Sequence, residues 1–450
     1  METLTNLVKN INGYLWDYIL VFLLCGTGIY FTFKLKFIQV RKFGESFKKT
    51  FGGISFGKKS EDGMTSFQAL ATAISAQVGT GNLAGAATAI VSGGPGAIFW
   101  MWVSAFFGMS TIFAEATLAQ VYKTEKDGEP IGGPAYYISK GLNNKFLAGF
   151  FSVSIIIALG FVGNLVQANS IGAAFNKAFN VNPYIVGAIL AVLALLIFVG
   201  GMSRIASFAE KVVPIMALFY IIGSLFILVT NATNILPAFK AIFVGAFKPS
   251  AVAGGVIGVT VKNAIRYGVS RGLFSNEAGM GSTPHAHAVA DVKHPCDQGL
   301  VAIMGVFIDT FIILTLTALV ILTTEPTLTG KMTGIALTQH AFTTGMGAFG
   351  EKFIAISLFF FAFSTIIGWY FFGATNIKFL FGKKAMPVYQ VLVMICIVIG
   401  CGLKVEFVWQ LADLFNGIMV FPNLIAILAL SKIVKTKLTE YEALDITKDY

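Results

Sequence analysis

The sequence predicts an all-α polytopic membrane protein, and three observations carry that prediction. Charged residues make up 12% of the 450, about half the ~25% usual in a soluble domain, while 56% are hydrophobic and mean hydropathy is +0.77. Apolar stretches recur that approach the ~20 residues a helix needs to cross a bilayer. The lysines and arginines between those stretches fall mostly on alternate connections, as they do when a chain weaves across a membrane.

Eleven segments approach spanning length: 15–35, 65–91, 95–121, 147–175, 183–203, 207–230, 252–275, 299–323, 351–377, 387–403 and 406–431. The longer connections are 36–64, 122–146, 231–251, 276–298 and 324–350, and none has the length or composition of a soluble domain. With eleven spans, 22 of the 32 basic residues share one side and 7 the other, while Lys262, Arg266 and Arg271 lie within a span. One missed or invented span would scramble that division. The richer side is read as cytoplasmic, so the N-terminus lies outside and the C-terminus inside a cell membrane. The net charge of +10 then reflects lysines at the surface of a lipid bilayer and not a nucleic-acid partner. Met1 to Gly13 lacks a basic leader region, so the first apolar run is read as a retained span. Three of the four cysteines (Cys25, Cys296, Cys396, Cys401) sit in apolar segments, which argues against a disulfide framework.

Two of the spans are interrupted. The first contains Val78-Gly-Thr-Gly-Asn82 at its centre, where each Gly costs a helix roughly 1 kcal/mol against Ala. Unwound backbone at membrane depth must be buried in protein or line a cavity. The amides that open the second half-helix favour an anion, and the carbonyls that end the first favour a cation. A Gly81-x-x-x-Gly85 packing seam is the simpler alternative, but it does not account for Gly79, Thr80, Gly81 and Asn82 together. The second interruption runs over 252–283, with Ala253–Gly258 and then Gly268, Gly272, Gly279 and Gly281 beside Arg271 and Glu277. Five spans separate the two starts, so the second copy enters from the opposite face. Two broken spans in matching positions point to inverted repeats with a site between them. The expected organisation is one transmembrane domain over 1–450. Residues 1–64 form an extra N-terminal helix and basic cytoplasmic loop, 65–230 repeat one, 252–431 repeat two and 432–450 a cytoplasmic tail.

Ser75-Ala-Gln-Val-Gly-Thr-Gly-Asn-Leu-Ala-Gly-Ala-Ala-Thr-Ala-Ile90 and Arg271-Gly-Leu-Phe-Ser-Asn-Glu-Ala-Gly-Met-Gly-Ser282, followed by Ala290-Asp-Val-Lys-His-Pro295, resemble signatures of the alanine or glycine:cation symporter family. The resemblance extends to Phe361-Ala-Phe-Ser-Thr-Ile-Ile-Gly-Trp369 and covers most of the chain. It implies sodium-coupled uptake of small neutral amino acids, alanine or glycine, on the LeuT-type 5+5 inverted-repeat fold of the bacterial leucine transporter. It further implies that the backbone amides of Gly79, Thr80 and Gly81 bind the substrate carboxylate, and that the carbonyls of Ser75 and Val78 face a sodium ion.

Sodium takes hard oxygen ligands, and neutral hydroxyls and carbonyls supply them. Ser364 and Thr365 place two hydroxyls in a Phe-rich run. With the Phe361 carbonyl they match the i, i+3, i+4 spacing of the sodium site implied by the resemblance. Hydroxyls in spans also bond back to their own helix, which is the competing explanation. Asn164, Gln167 and Asn169 are amides in apolar surroundings and need partners. Interhelical bonding and substrate contact are the two readings, and contact is favoured for Gln167 because polar groups in a span face the bundle interior. Phe274, Ser275 and Asn276 precede what reads as a fresh half-helix, so Ser275 or Asn276 would cap it and also lie beside the substrate. Trp369, one turn after Thr365, is a candidate pocket wall that would limit substrate size; packing or an interfacial anchor is the alternative.

Of the acids in apolar surroundings, Glu115 and Glu210 lie near cytoplasmic span ends and read as solvated or paired. Asp309 is about 15 Å into its span at helical rise. It pairs with Arg266 or Arg271, or carries a proton, which makes proton-coupled transport the alternative function. Asn82 acquires no partner at this level. Gly52–Lys59 imitates a phosphate-binding loop but has Lys where Ser or Thr must hold magnesium. His285, His287, His294 and Cys296 complete no recognised zinc spacing. No nucleophile and base converge, so the chain reads as a transporter and not an enzyme.

Overall fold

A computed structural model describes residues 2–52, 63–126, 128–248, 260–325, 332–403 and 405–444. The Ala253–Gly258 part of the second interruption, and all of Gly52–Lys59 beyond Gly52, lie outside the described residues. Each of the eleven apolar segments contains helix. Among the described residues, eight helices are long and apolar enough to cross a membrane, from Thr5–Lys34 to Val408–Ala429; Pro183–Phe198 is shorter. Their outer faces carry exposed Ile185, Ile189, Val192, Leu196, Ile215 and Ile222, the surface that lipid requires.

The first interruption lies where the glycines place it. Thr65 caps the Ser66–Gln77 helix in a reciprocal box with Gln68. That helix ends at Val78, in extended conformation, and a wide turn at Gly81–Gly85 leads into Ala86–Gly93.

The second interruption differs from expectation. Val261–Asn276 runs unbroken through Gly268 and Gly272, and the chain leaves the helix only at Glu277, with φ +59°. Gly268 and Gly272 are instead places of close approach. A Cβ on Gly268 would lie 2.6 Å from the Ala97 carbonyl oxygen, and one on Gly272 3.0 Å from Ser104 Oγ, both on the neighbouring Gly96–Val121 helix. The break is Ala278–Thr283, with Gly279 at φ +91° and Gly281 at φ +78°, followed by the short helix Pro284–Ala288. Ser275 and Asn276 therefore end a helix and do not cap a new one; Asn276 Oδ1 accepts from Ala278 N at 3.1 Å.

Among the described residues, helices outside the spans form at Phe43–Phe51, Pro134–Gly141, Ile235–Phe247, Gly334–Met346 and Ser431–Ala443, with one hairpin, Thr124–Lys126 paired to Glu129–Ile131. On one face of the bundle the basic connections meet. Lys49 bridges to Asp297 at 2.8 Å, Lys378 to Glu129 at 2.9 Å, and Arg41 to Glu442 of the C-terminal helix. On that face a parallel bridge joins Met64, just before the first broken helix, to the stretch after the second: Met64 N donates to Val289 O at 3.0 Å and Asp291 N to Met64 O at 2.9 Å.

Candidate functional site

The break at Val78–Thr80 is surrounded by buried polar groups from four other helices. Its carbonyl side faces Ala348–Phe381. Thr365 Oγ1 lies 2.9 Å from Ser75 O, 3.0 Å from Phe361 O and 3.4 Å from Val78 O. Ser364 Oγ lies 2.9 Å from Phe361 O and 3.4 Å from Ser75 O. Both hydroxyls do bond back to their own helix, and both also face the broken one. Five neutral oxygens, from Ser75, Val78, Phe361, Ser364 and Thr365, are thus gathered within hydrogen-bond distances, with no carboxylate among them. That is a donor set a monovalent hard cation accepts. Gly79 makes the approach possible, since a Cβ there would meet Thr365 Oγ1 at 2.4 Å and Gln167 Oε1 at 3.1 Å.

The amide side faces three other helices. Gly79 N donates to Asn82 Oδ1 at 2.9 Å, and Thr80 N to Gln167 Oε1 at 3.1 Å. Thr80 Oγ1 is buried and makes no hydrogen bond. Asn164, Gln167 and Asn169 of Lys145–Phe179 thereby separate. Gln167 reaches the break, Asn169 Nδ2 ties to Gly400 O and Leu403 O of another helix, and Asn164 Nδ2 bonds back to Gly160 O. Gly81 packs against the end of Val261–Asn276: its Cβ would lie 2.8 Å from Ser275 Cα. Phe274 meets Trp369 edge-to-face, centroids 5.8 Å apart, and Trp409 at 4.9 Å.

Asn82, left without a partner by the sequence, has two. While its oxygen holds Gly79 N, its Nδ2 donates to Asp309 Oδ1 at 2.6 Å. Asp309 also accepts from Ser275 Oγ at 2.9 Å and Thr310 Oγ1 at 2.8 Å, and Asn276 Nδ2 donates to Thr310 Oγ1 at 3.1 Å. It does not pair with Arg271, which makes a bidentate bridge to Asp413 at 2.7 and 2.6 Å. Gln77 Nε2 closes the ring onto Asn276 O at 2.7 Å. Asp309 lies in a stretch of π-helix, Phe307–Leu314, and Gly81–Gly85 is another; such wide turns concentrate at functional sites. Glu115, read as solvated or paired, is paired. It is fully buried rather than solvated, and it accepts from Gly279 N at 3.0 Å, Gly281 N at 2.9 Å and Asn423 Nδ2 at 2.5 Å. Nothing in linear spacing linked Asn82 to Asp309, Gln77 to Asn276 or Glu115 to Gly279 and Gly281, because 227, 199, 164 and 166 residues separate them.

Paired half-helices in a multi-pass helical bundle, with oxygens on one side of a break and amides on the other, define a membrane transporter of the discontinuous-helix class. Solved structures agree on the fold: the crystal structure of MhsT in complex with L-phenylalanine aligns with a TM-score of 0.59 at 13% identity, covering 84% of this chain and 98% of that one. The chain accordingly has the LeuT-type fold.

It belongs to the sodium:alanine symporter family, which matches residues 1–449. It is 44% identical to the probable sodium/glutamine symporter GlnT of Bacillus subtilis, over 98% of this chain and 91% of that one. It is 42% identical to the sodium/alanine symporter AgcS of Methanococcus maripaludis, over 95% of each. The protein is a cation-coupled amino-acid symporter, a transporter and not an enzyme.

Proposed function

We propose that the chain takes up small neutral amino acids, alanine or glycine, together with sodium. The observation that carries the reading is the cage of five neutral oxygens around Thr365, on the carbonyl side of the break whose amide side would hold a carboxylate. Sodium, as co-transported substrate, is held by the carbonyls of Ser75, Val78 and Phe361 and the hydroxyls of Ser364 and Thr365. The substrate carboxylate is held by the amides of Gly79, Thr80 and Gly81. There it exchanges with the neutral oxygens of Asn82 and Gln167, to which a carboxylate is the stronger acceptor. Gln167, Phe274, Ser275, Asn276 and Trp369 line the remainder, and the two indole and phenyl rings keep it small.

Cation and carboxylate then stabilise each other across the break. Joint occupancy favours a conformation that closes to one side and opens to the other. With the basic face inward, sodium enters down its gradient, and one charge moved through 100 mV supplies about 2.3 kcal/mol. Alanine uptake into proteoliposomes at fixed pH, with and without a sodium gradient, tests the reading. Uptake that is unchanged without sodium overturns it. Gly81→Leu, which would drive a side chain into Ser275, should abolish binding.

A second reading is proton coupling through Asp309, favoured by one observation: the hydrogen-bond partners of this deep carboxylate are the neutral groups of Asn82, Ser275 and Thr310. Uptake driven by a pH gradient in sodium-free buffer, and lost in Asp309→Asn, would establish it.

A further inference from the structure

Glu277 is buried within the second break, at a position where its side chain is not the residue that the backbone would select. It ends the Val261–Asn276 helix in left-handed conformation, φ +59°, donating its N–H to Leu273 O at 2.9 Å. Glycine or asparagine suits such a helix end; a longer side chain is strained there. Strain kept at one residue points to a use for its side chain. Among the described residues, the carboxylate of Glu277 accepts from two groups: Ser282 Oγ, at 2.6 Å on Oε2, and the indole Nε1 of Trp369 on Oε1. Neither glycine nor asparagine presents an acceptor at that reach.

Trp369 is fixed from three directions. Its indole N–H is held by Glu277. Its edge meets Phe274, centroids 5.8 Å apart and planes at 86°. Its six-membered ring lies against Gly163, where an added Cβ would come within 2.5 Å of Cζ3. Gly163 stands one helical turn before Gln167, and Trp369 one turn after Thr365, so the ring spans from the amide side of the first break to the end of the second. Backbone of one broken helix, through Glu277, therefore sets the angle of a ring carried by a different helix. We infer that Glu277 is the positioning residue that holds the Trp369 indole, and that this bond sets the upper size of the amino-acid side chain that the site accepts. The inference rests on the reading of Trp369 as a wall of the substrate pocket. Without the bond the indole turns on its χ angles away from Glu277, the wall recedes, and larger neutral side chains enter while small ones lose contact.

The test is a panel of glycine, alanine, serine, glutamine and phenylalanine, each measured as competitor and as substrate in proteoliposomes. It uses the full-length wild type, Glu277→Gly, Glu277→Gln, Trp369→Phe and the Glu277→Gly/Trp369→Phe double variant. Glu277→Gly relieves the backbone strain while removing the acceptor. If Glu277 were only a helix end, this variant would be at least as stable as wild type and keep its selectivity. Positioning predicts instead that KM for the smallest preferred substrate rises about tenfold with little change in maximal rate, and that preference moves toward glutamine and phenylalanine. Glu277→Gln, which keeps an acceptor oxygen for the indole, should restore most of the wild-type order. Trp369→Phe should reproduce the shift, and the double variant should add nothing to either single change. Thermal unfolding of each variant separates loss of fold from loss of selectivity. An unchanged order in Glu277→Gly, or additive shifts in the double variant, overturns the inference. A wild type that prefers a larger amino acid overturns the alanine reading, while the direction and non-additivity of the shift still decide the role of Glu277.

Discussion

Thr365 concentrates the chemistry of the cation side. Its hydroxyl lies within 3.4 Å of three backbone carbonyls at once, two of them on the broken helix, and a Cβ at Gly79 would collide with it. Thr365→Val keeps the shape and removes the oxygen. A hydrogen-bonding group lost from a charged ligand is worth roughly 1.5–3 kcal/mol, so the sodium concentration for half-maximal uptake should rise about 10–100-fold, while Thr365→Ser should stay near wild type. Sodium titration of alanine uptake checks both. The sequence made Ser364, Thr365 and Phe361 legible because hydroxyls stand out in a Phe-rich run. It left Asn82 unpaired because its partner Asp309 is 227 residues away. The three amides at 164, 167 and 169 looked alike as a string; only their neighbours distinguish one that reaches the break from one that ties helices together and one that bonds to its own turn.

The two broken elements were legible to different degrees. Four consecutive residues that disfavour helix located the first break. The second was drawn too broadly because glycine has two uses in membrane helices, breaking them and letting them touch, and composition does not separate the two. Gly268 and Gly272 touch the Gly96–Val121 helix, whereas Gly279 and Gly281 turn the chain at positive φ. Their amides end on Glu115, whose two oxygens hold the loop from the opposite helix. Glu115→Ala would strand two buried donors, each costing roughly 1–3 kcal/mol, and Glu115→Gln, retaining one acceptor oxygen, should cost about half as much. Chemical unfolding in detergent reads the difference; equal stability of the two variants would mean that the loop is not held through Glu115.

At the scale of the molecule, the charge bias and the packing agree on one point. The connections at 36–64, 122–146 and 276–298 and the C-terminal helix meet on a single face, through Lys49–Asp297, Lys378–Glu129 and Arg41–Glu442. The positive-inside tendency predicts that this face is the cytoplasmic one. In a variant freed of its native cysteines, Lys240→Cys should react with a membrane-impermeant maleimide in whole cells, and Lys48→Cys only after permeabilisation. The reverse pattern would invert the orientation.

Taken alone, the order of residues determined the class, the approximate helical segments and the first break. Each of these follows from local composition or from the length of an apolar run, and hydrocarbon enforces it segment by segment. Tertiary structure alone decided where the second break lies, which buried acids serve it and what Asn82 and Glu277 hold. A buried polar group is satisfied by whatever packing brings within about 3 Å, and in this bundle that partner usually comes from a helix far along the chain.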